Sequence, residues 1–526
     1  MMRLAWLVLV ALPALLPAQE PVTIRVDAGA PIGPSKPIWA WFGYDEPNYT
    51  YAKNGRKLIG ELAALSPVPV HIRTHNLLTS GDGTAALKWG STNAYSEDAS
   101  GRPVYDWTIV DRIFDTYVQA KVKPLVEIGF MPEALSTKPH PYRHDWPKTP
   151  IAAGWAYPPK DYGKWAGLVR EWVRHAVTRY GQAEVERWYW EVWNEPDIEY
   201  WQGTPEEYDK LYDSAVGAVK SVSPVIRCGG PASTGPAGPK AARFLRQFLD
   251  HCARTGTPLD FITYHAKGRP EVVDGRVRMG LTRQLEDVER GMEIVASFPQ
   301  FRDLPIILSE SDPEGCAACS AQTHPQNAYR NGPLYASYEA AAMNGILKLA
   351  ARYKANLEGM LTWAFEFEDQ PYFAGFRTLA TNGIDKPVLN FFRMAGLMTG
   401  ERVAVDGNAL ATRSARGVSV MLWNYSDDDV EAPDAPVRLT IAGLPADAAR
   451  VQVRHYRIDR DHSNSYTLWK QMGSPQSPTP EQYARLEAAG QLQLLESPRW
   501  VASQSGAVEL IFALPRQAVS LVQVSW

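Results

Sequence analysis

Between about residues 38 and 400, short runs of apolar, β-branched or aromatic residues alternate eight times with longer stretches of helical periodicity. That rhythm demands a parallel sheet, because each strand reaches the next through a crossover helix. The candidate strands are residues 38–43, 70–74, 124–129, 188–193, 225–229, 260–265, 306–310 and 359–365. Helical periodicity runs through 108–120, 162–180, 205–222, 241–253 and 282–296. Eight alternations predict an α/β fold, a (β/α)8 TIM barrel with insertions. Its functional face is then built from the loops that follow the strands. Segments 139–159, 231–239 and 311–333 read as the long loops after strands three, five and seven.

Beyond residue 400 the period changes to two, at 418–423, 437–441, 451–458, 508–514 and 519–524. This alternation predicts a C-terminal β-sandwich, interrupted by one helix at 480–489. An early strand at 22–27 is expected to join it. The expected organisation is therefore a leader at 1–18, a joining strand within 19–37, a barrel over 38–400 and a sandwich over 401–526.

The leader reading rests on Arg3 before the apolar run Leu4 to Leu16, which Pro13 interrupts and which is too short to span a bilayer. It implies export, to the periplasm or outside the cell, without stable membrane insertion. A formal charge of -4, with 21% charged and 45% apolar residues, argues against disorder and against a nucleic-acid partner. Eighteen Trp and 24 Tyr supply flat faces with polar tips, suited to sugars and to core packing alike. Cys316-Ala317-Ala318-Cys319 is one CxxC without a second cluster, which reads as a local disulfide or free thiols in a loop rather than a metal site.

Chemistry concentrates at two strand ends. Trp188 to Trp193 runs into Asn194-Glu195-Pro196, and Ile306-Ile307-Leu308-Ser309 closes on Glu310. Pro196 is expected to keep Glu195 extended and so to aim its carboxyl. Glutamates at the tips of strands four and seven face each other across a barrel mouth. Glycoside hydrolysis needs such a pair, one carboxyl holding a proton for the leaving oxygen and one ionised beneath the anomeric carbon. Arg73 and His75, two apart, point to one side. Arg73 would hold Glu310 ionised or form a structural ion pair with Glu191, and Asn194 would bind a hydroxyl beside the reacting centre.

These residues carry a resemblance to glycoside hydrolase family 39, retaining (β/α)8 barrels that include β-xylosidases and α-L-iduronidases. It rests on Trp193-Asn194-Glu195-Pro196, on Cys228-Gly229-Gly230-Pro231, read as a turn, and on Ile307-Leu308-Ser309-Glu310. The resemblance implies that Glu195 is the acid/base and Glu310 the nucleophile. The iduronidase branch is matched further at Arg73-Thr74-His75, His265-Ala266-Lys267-Gly268, Glu310-Ser311-Asp312-Pro313, Phe376-Arg377-Thr378-Leu379 and Ser477 to Gln482. In that branch the counterparts of Lys267 and Arg377 bind the sugar carboxylate, that of Asp369 contacts the sugar, and those of His75 and His265 line the pocket. A lysine after strand six and an arginine after strand eight would also put two cations at one rim, where a uronate could pair with them. The chain departs from the branch at Gly43-Tyr44-Asp45-Glu46-Pro47-Asn48 and at Cys316 and Cys319.

The sequence therefore predicts an exported, retaining exo-glycosidase acting on an oligo- or polysaccharide, with an acidic terminal sugar favoured over neutral xylose. A barrel that binds carbohydrate without turnover is the rival from another class, and both glutamates argue against it. No HExxH motif or histidine cluster at ligand spacing supports a metal-dependent hydrolase, so no cofactor and no metal is expected.

Overall fold

The computed structural model describes residues 21–141 and 154–526, so the expected leader and part of the loop after strand three lie outside the described residues. Eight parallel strands close in chain order: Trp41–Tyr44, His71–Thr74, Lys123–Ile128, Tyr189–Val192, Arg227–Ser233, Phe261–Lys267, Ile306–Asp312, and an eighth in two pieces, Leu357–Met360 and Thr362–Trp363. The first piece of the eighth pairs with strand seven and the second with strand one, which seals the barrel. Strand eight was expected to be continuous. It breaks at Leu361 and packs Trp363 so tightly on strand one that a Cβ on Gly43 would lie 2.5 Å from the indole. Helices Thr108–Ala120, Tyr162–Tyr180 and Pro205–Val222 stand where their periodicity puts them. A Thr204–Glu207 capping box and Pro205 start the third of these.

Inward positions recur every second residue and sort into layers. Trp41, Leu125, Tyr189, Phe261, Ile307 and Leu361 form an apolar floor. Two residues further up, Arg73, Glu127 and Glu191 make a fully buried charged layer. Asp45 and His75 lie two residues above Gly43 and Arg73 in their own segments.

Ten of the other strands form one sheet that includes Val22–Pro34, parallel to Ala435–Ala442 and antiparallel to Glu401–Asp406, and six more pair as three two-stranded ribbons. The expected sandwich is thus a single curled sheet folded over its own apolar face, where Val26, Val420, Leu439, Val451 and Leu510 pack. Its other face joins the barrel core through Leu410, Met421, Trp423, Ile458 and Leu521. Helix Pro333–Tyr353, which follows the seventh barrel strand, touches the sheet strands Gly417–Trp423 and Val519–Ser525. Among the described residues no helix is long and apolar enough to cross a membrane.

Candidate active site

A cavity of about 400 Å³ opens above the charged layer, lined among others by His75, Asn194, Glu195, Lys267 and Glu310. One donor atom from each of Glu195, His265 and Glu310 lies within 4.8 Å of the other two. The two glutamates predicted from the strand ends therefore meet.

Each is aimed by irregular backbone. Glu195 has φ 44°, so it is left-handed rather than extended as Pro196 suggested; its N–H donates to Ala232 O at 2.9 Å. Proline penalises the right-handed helical region of the residue before it, and the tertiary contact selects the left-handed alternative, uncommon for a residue with a side chain. Strand seven does not stop at Glu310. It runs on to Asp312, and a register shift between Leu308 and Glu310 turns the glutamate inward beside His265. Such bulges re-aim side chains next to active sites. The Cys228 to Pro231 segment, expected as a turn, is part of the fifth strand and pairs with strand six.

Glu310 is buried and ringed by cations. Lys267 Nζ donates to its Oε2 at 2.7 Å, Arg73 Nη1 donates to Oε1 at 3.2 Å, His75 Nε2 stands 3.5 Å from Oε1, and His265 Nδ1 is 3.8 Å from Oε2. Burial alone would raise the pKa of this carboxyl, but His265, Lys267, His75 and Arg73 together outweigh it and hold it well below the ordinary glutamate range. Glu195 keeps 16% of its side-chain area exposed and has His265 Nδ1 at 2.8 Å from Oε1.

Arg73 does both things the sequence left open. Besides Glu310 it binds Glu191 through Nε at 2.5 Å, Glu127 through Nη2 at 3.0 Å, and the amide oxygen of Asn194 at 3.0 Å. His75 is held by Asp45 at 2.7 Å and Glu127 at 2.9 Å. Burial opposes its charge, yet the adjacent carboxylates win and push its pKa up to about 9.

Two expected contacts are not brought to the cavity. Arg377 is fully buried rather than at an open rim: its Nη1 donates to Glu314 at 2.9 Å, its Nε donates to Trp363 O, and Nη2 faces Asp312 at 3.6 Å. The long loop after strand seven folds over it, with Arg377 N–H donating to Ala317 O. Asp369 is exposed and lines a separate open depression with Lys53, Glu368 and Tyr483. Lys267 does line the cavity, with Nζ also donating to Asp312 at 2.5 Å.

Several site residues escaped the sequence reading. Asp45 and Glu46 come from the loop after strand one, and Lys88 from an insertion after strand two. Glu127 hides inside an apolar strand run. The buried pair Asp45 and Glu46 splits: burial would raise both, but Lys88 and His75 hold Asp45 well below its usual range, while burial and the Asp45 charge push Glu46 up to about 8. Cys316 and Cys319 form a disulfide at the cavity edge. Glu195, His265 and Glu310 could hold a divalent cation, although the Lys267 ammonium already sits against Glu310.

Residues 71–507 match the sequence model of Glycosyl hydrolases family 39. The chain belongs to that family. This family 39 glycoside hydrolase is 28% identical to a β-xylosidase of Geobacillus stearothermophilus over 474 aligned positions, 86% of each chain. It is 25% identical to the α-L-iduronidase of Mus musculus over 566 aligned positions, 96% of this chain and 81% of the relative. A crystal structure of the GH39 enzyme from Xanthomonas axonopodis pv. citri superposes with a TM-score of 0.79 at 24% identity, covering 97% of this chain and 100% of that one. Family 39 membership makes the protein a hydrolase of glycans and agrees with the barrel and curled sheet described above.

Proposed function

We propose that this family 39 hydrolase is an exported, retaining exo-glycosidase that releases one terminal sugar, with a uronic acid as that sugar. The observation that carries the retaining reading is the approach of Glu195 and Glu310 to within 4.8 Å. Retaining enzymes hold their carboxyl groups about 5 to 5.5 Å apart, whereas inverting ones leave about 6.5 to 9.5 Å for a water. In the first step the ionised Glu310 bonds to the anomeric carbon while Glu195 gives its proton to the departing glycosidic oxygen. His265 Nδ1, 2.8 Å from Glu195 Oε1, holds that carboxyl in place. In the second step Glu195 takes a proton from water, whose oxygen displaces Glu310 and restores both carboxyl groups.

The acidic-sugar reading is supported by Lys267, a partly exposed ammonium on the cavity wall. A neutral pentose is the second reading. It is favoured by the engagement of Lys267 with both Glu310 and Asp312, and by the burial of Arg377. A panel of aryl xylosides, glucuronides and iduronides separates the two, with Glu195→Gln as the control for adventitious hydrolysis. Turnover of uronides above xylosides is the expected result, and turnover of xylosides alone overturns the acidic reading. Following the anomeric protons by NMR tests retention, because inversion in the first-formed product rejects Glu310 as nucleophile.

A further inference from the structure

On the glycosidase reading above, we infer that the Cys316–Cys319 disulfide is a positioning element for hydrolysis, holding the start of the loop after strand seven as the cavity wall on which Cys316 stands. Gly315 and Cys316 line the same cavity as Glu195 and Glu310. Strand seven ends at Asp312, and no helix or strand follows before the short helix Pro325–Asn331, so this wall has no ladder of hydrogen bonds to fix its backbone. Its shape comes from what lies behind it. Arg330 is fully buried and gathers the segment: Nη1 donates to Cys319 O at 2.9 Å, to Gly375 O at 3.2 Å and to Ala317 O at 3.4 Å, while Nη2 donates to Cys316 O at 2.7 Å and to Glu314 Oε1 at 2.5 Å. Asn327 Nδ2 donates to Cys319 O and Arg377 N–H to Ala317 O, both at 3.0 Å.

Three carbonyls from four consecutive residues thus converge on one guanidinium, which also reaches the loop after strand eight through Gly375. Extended backbone would set the Cα atoms of residues 316 and 319 about 10 Å apart. The disulfide holds them at 5.4 Å and so removes the conformers in which these carbonyls turn away from Arg330. The two sulfurs are unequally covered, because Cys319 is 2% exposed whereas Cys316 is half-buried and lines the cavity. A thiolate therefore meets the bond at Cys316. A ring of so few residues restricts the unfolded chain much less than a long loop does, and the bond should matter more to the wall than to global stability.

Dithiothreitol under native conditions tests this. Its thiolate attacks Cys316 Sγ, Cys319 leaves as a thiolate, and the second sulfur of the reagent then displaces Cys316, so the protein gains two thiols and the reagent closes to a cyclic disulfide. Alkylation and intact mass should count those two thiols alone, since burial shields Cys228 and Cys252 and pushes their thiols up. On an aryl glycoside that the untreated enzyme cleaves, kcat/KM should fall by about tenfold to a hundredfold after reduction and in the double variant Cys316→Ser, Cys319→Ser. Reoxidation should restore the first and not the second. The thermal midpoint should drop by less than about 5 °C in either. An unchanged kcat/KM in the double variant overturns the inference, and so does a loss that tracks unfolding. Enzyme trapped with a 2-fluoro glycoside should be reduced several-fold more slowly than free enzyme, because a bound sugar occupies the cavity that Cys316 lines. Equal rates would put Cys316 outside the occupied space and overturn the inference as well. Where no trapped species forms, the retaining reading fails, and the kcat/KM of the double variant still decides the role of the disulfide.

Discussion

The two halves of the cavity treat one chemical group in opposite ways. On the strand-seven side, Glu310 sits among Arg73, His75, His265 and Lys267, all within 3.8 Å, and its charge is locked in. On the strand-four side, Glu195 has His265 at 2.8 Å, reaches solvent, and stands on a left-handed residue at the start of a loop. On the proposed reading, neighbours rather than side-chain type divide labour between the paired glutamates: a cage of cations keeps Glu310 an anion, and Glu195, beside one histidine and open to solvent, would carry the proton.

Five experiments strain that contrast, in falling order of effect. Glu310→Ala should lower kcat/KM by at least about 10⁴-fold, with azide restoring turnover as a glycosyl azide of inverted configuration. In wild type a 2-fluoro glycoside should mark Glu310 in the peptide mass map, and labelling of Glu195 instead would reverse the assignment. Glu195→Gln should cost about 10² to 10⁴-fold on poor leaving groups and far less on activated aryl ones, because only the former need the proton. Equal losses on both would contradict the division.

Arg73→Met attacks the cage itself. Removing a fully buried cation leaves Glu127, Glu191 and Glu310 to repel one another, so unfolding should become easier by about 3–5 kcal/mol in a denaturant titration. Glu310 should also become easier to protonate, moving the acid limb of kcat/KM to higher pH. The sign follows from linkage: a carboxyl with a depressed native pKa stabilises the fold above its unfolded pKa, and loses that contribution as pH falls through the native one. His75 has the opposite sign. Its pKa of about 9 stabilises the fold fully below the unfolded histidine value, and the contribution, on the order of 3 kcal/mol, disappears as pH rises through 9. His75→Gln should flatten the alkaline part of the stability curve, and an unchanged curve would show that His75 is not the group titrating there.

The strand ends were readable in the sequence because barrels impose a period of two and a polarity from strand start to strand end. Glu195, Glu310 and Arg73 follow from those two rules, whereas the pocket role of His75 rests mainly on the family resemblance. Lys267, expected after strand six, is the last residue of that strand, and which acids would meet it and Arg377 depended on Asp312 and Glu314, and on a long loop with no periodicity to reveal where it folds. Asp45, Glu46 and Lys88 sit in segments whose geometry is set by hydrogen bonds between distant loops, such as Ser91 to Asn48, and no local pattern encodes those. Glu195 shows the limit of a local rule, since Pro196 excludes one backbone region while a contact with Ala232 chooses among the others.

The curled sheet presses Met421, Trp423 and Leu521 into the barrel's own core, and the helix after strand seven rests on it. An expression clone cut at residue 400 would thus bare an oily scar along helix Pro333–Tyr353 and the barrel flank, and should yield inclusion bodies instead of a smaller working enzyme.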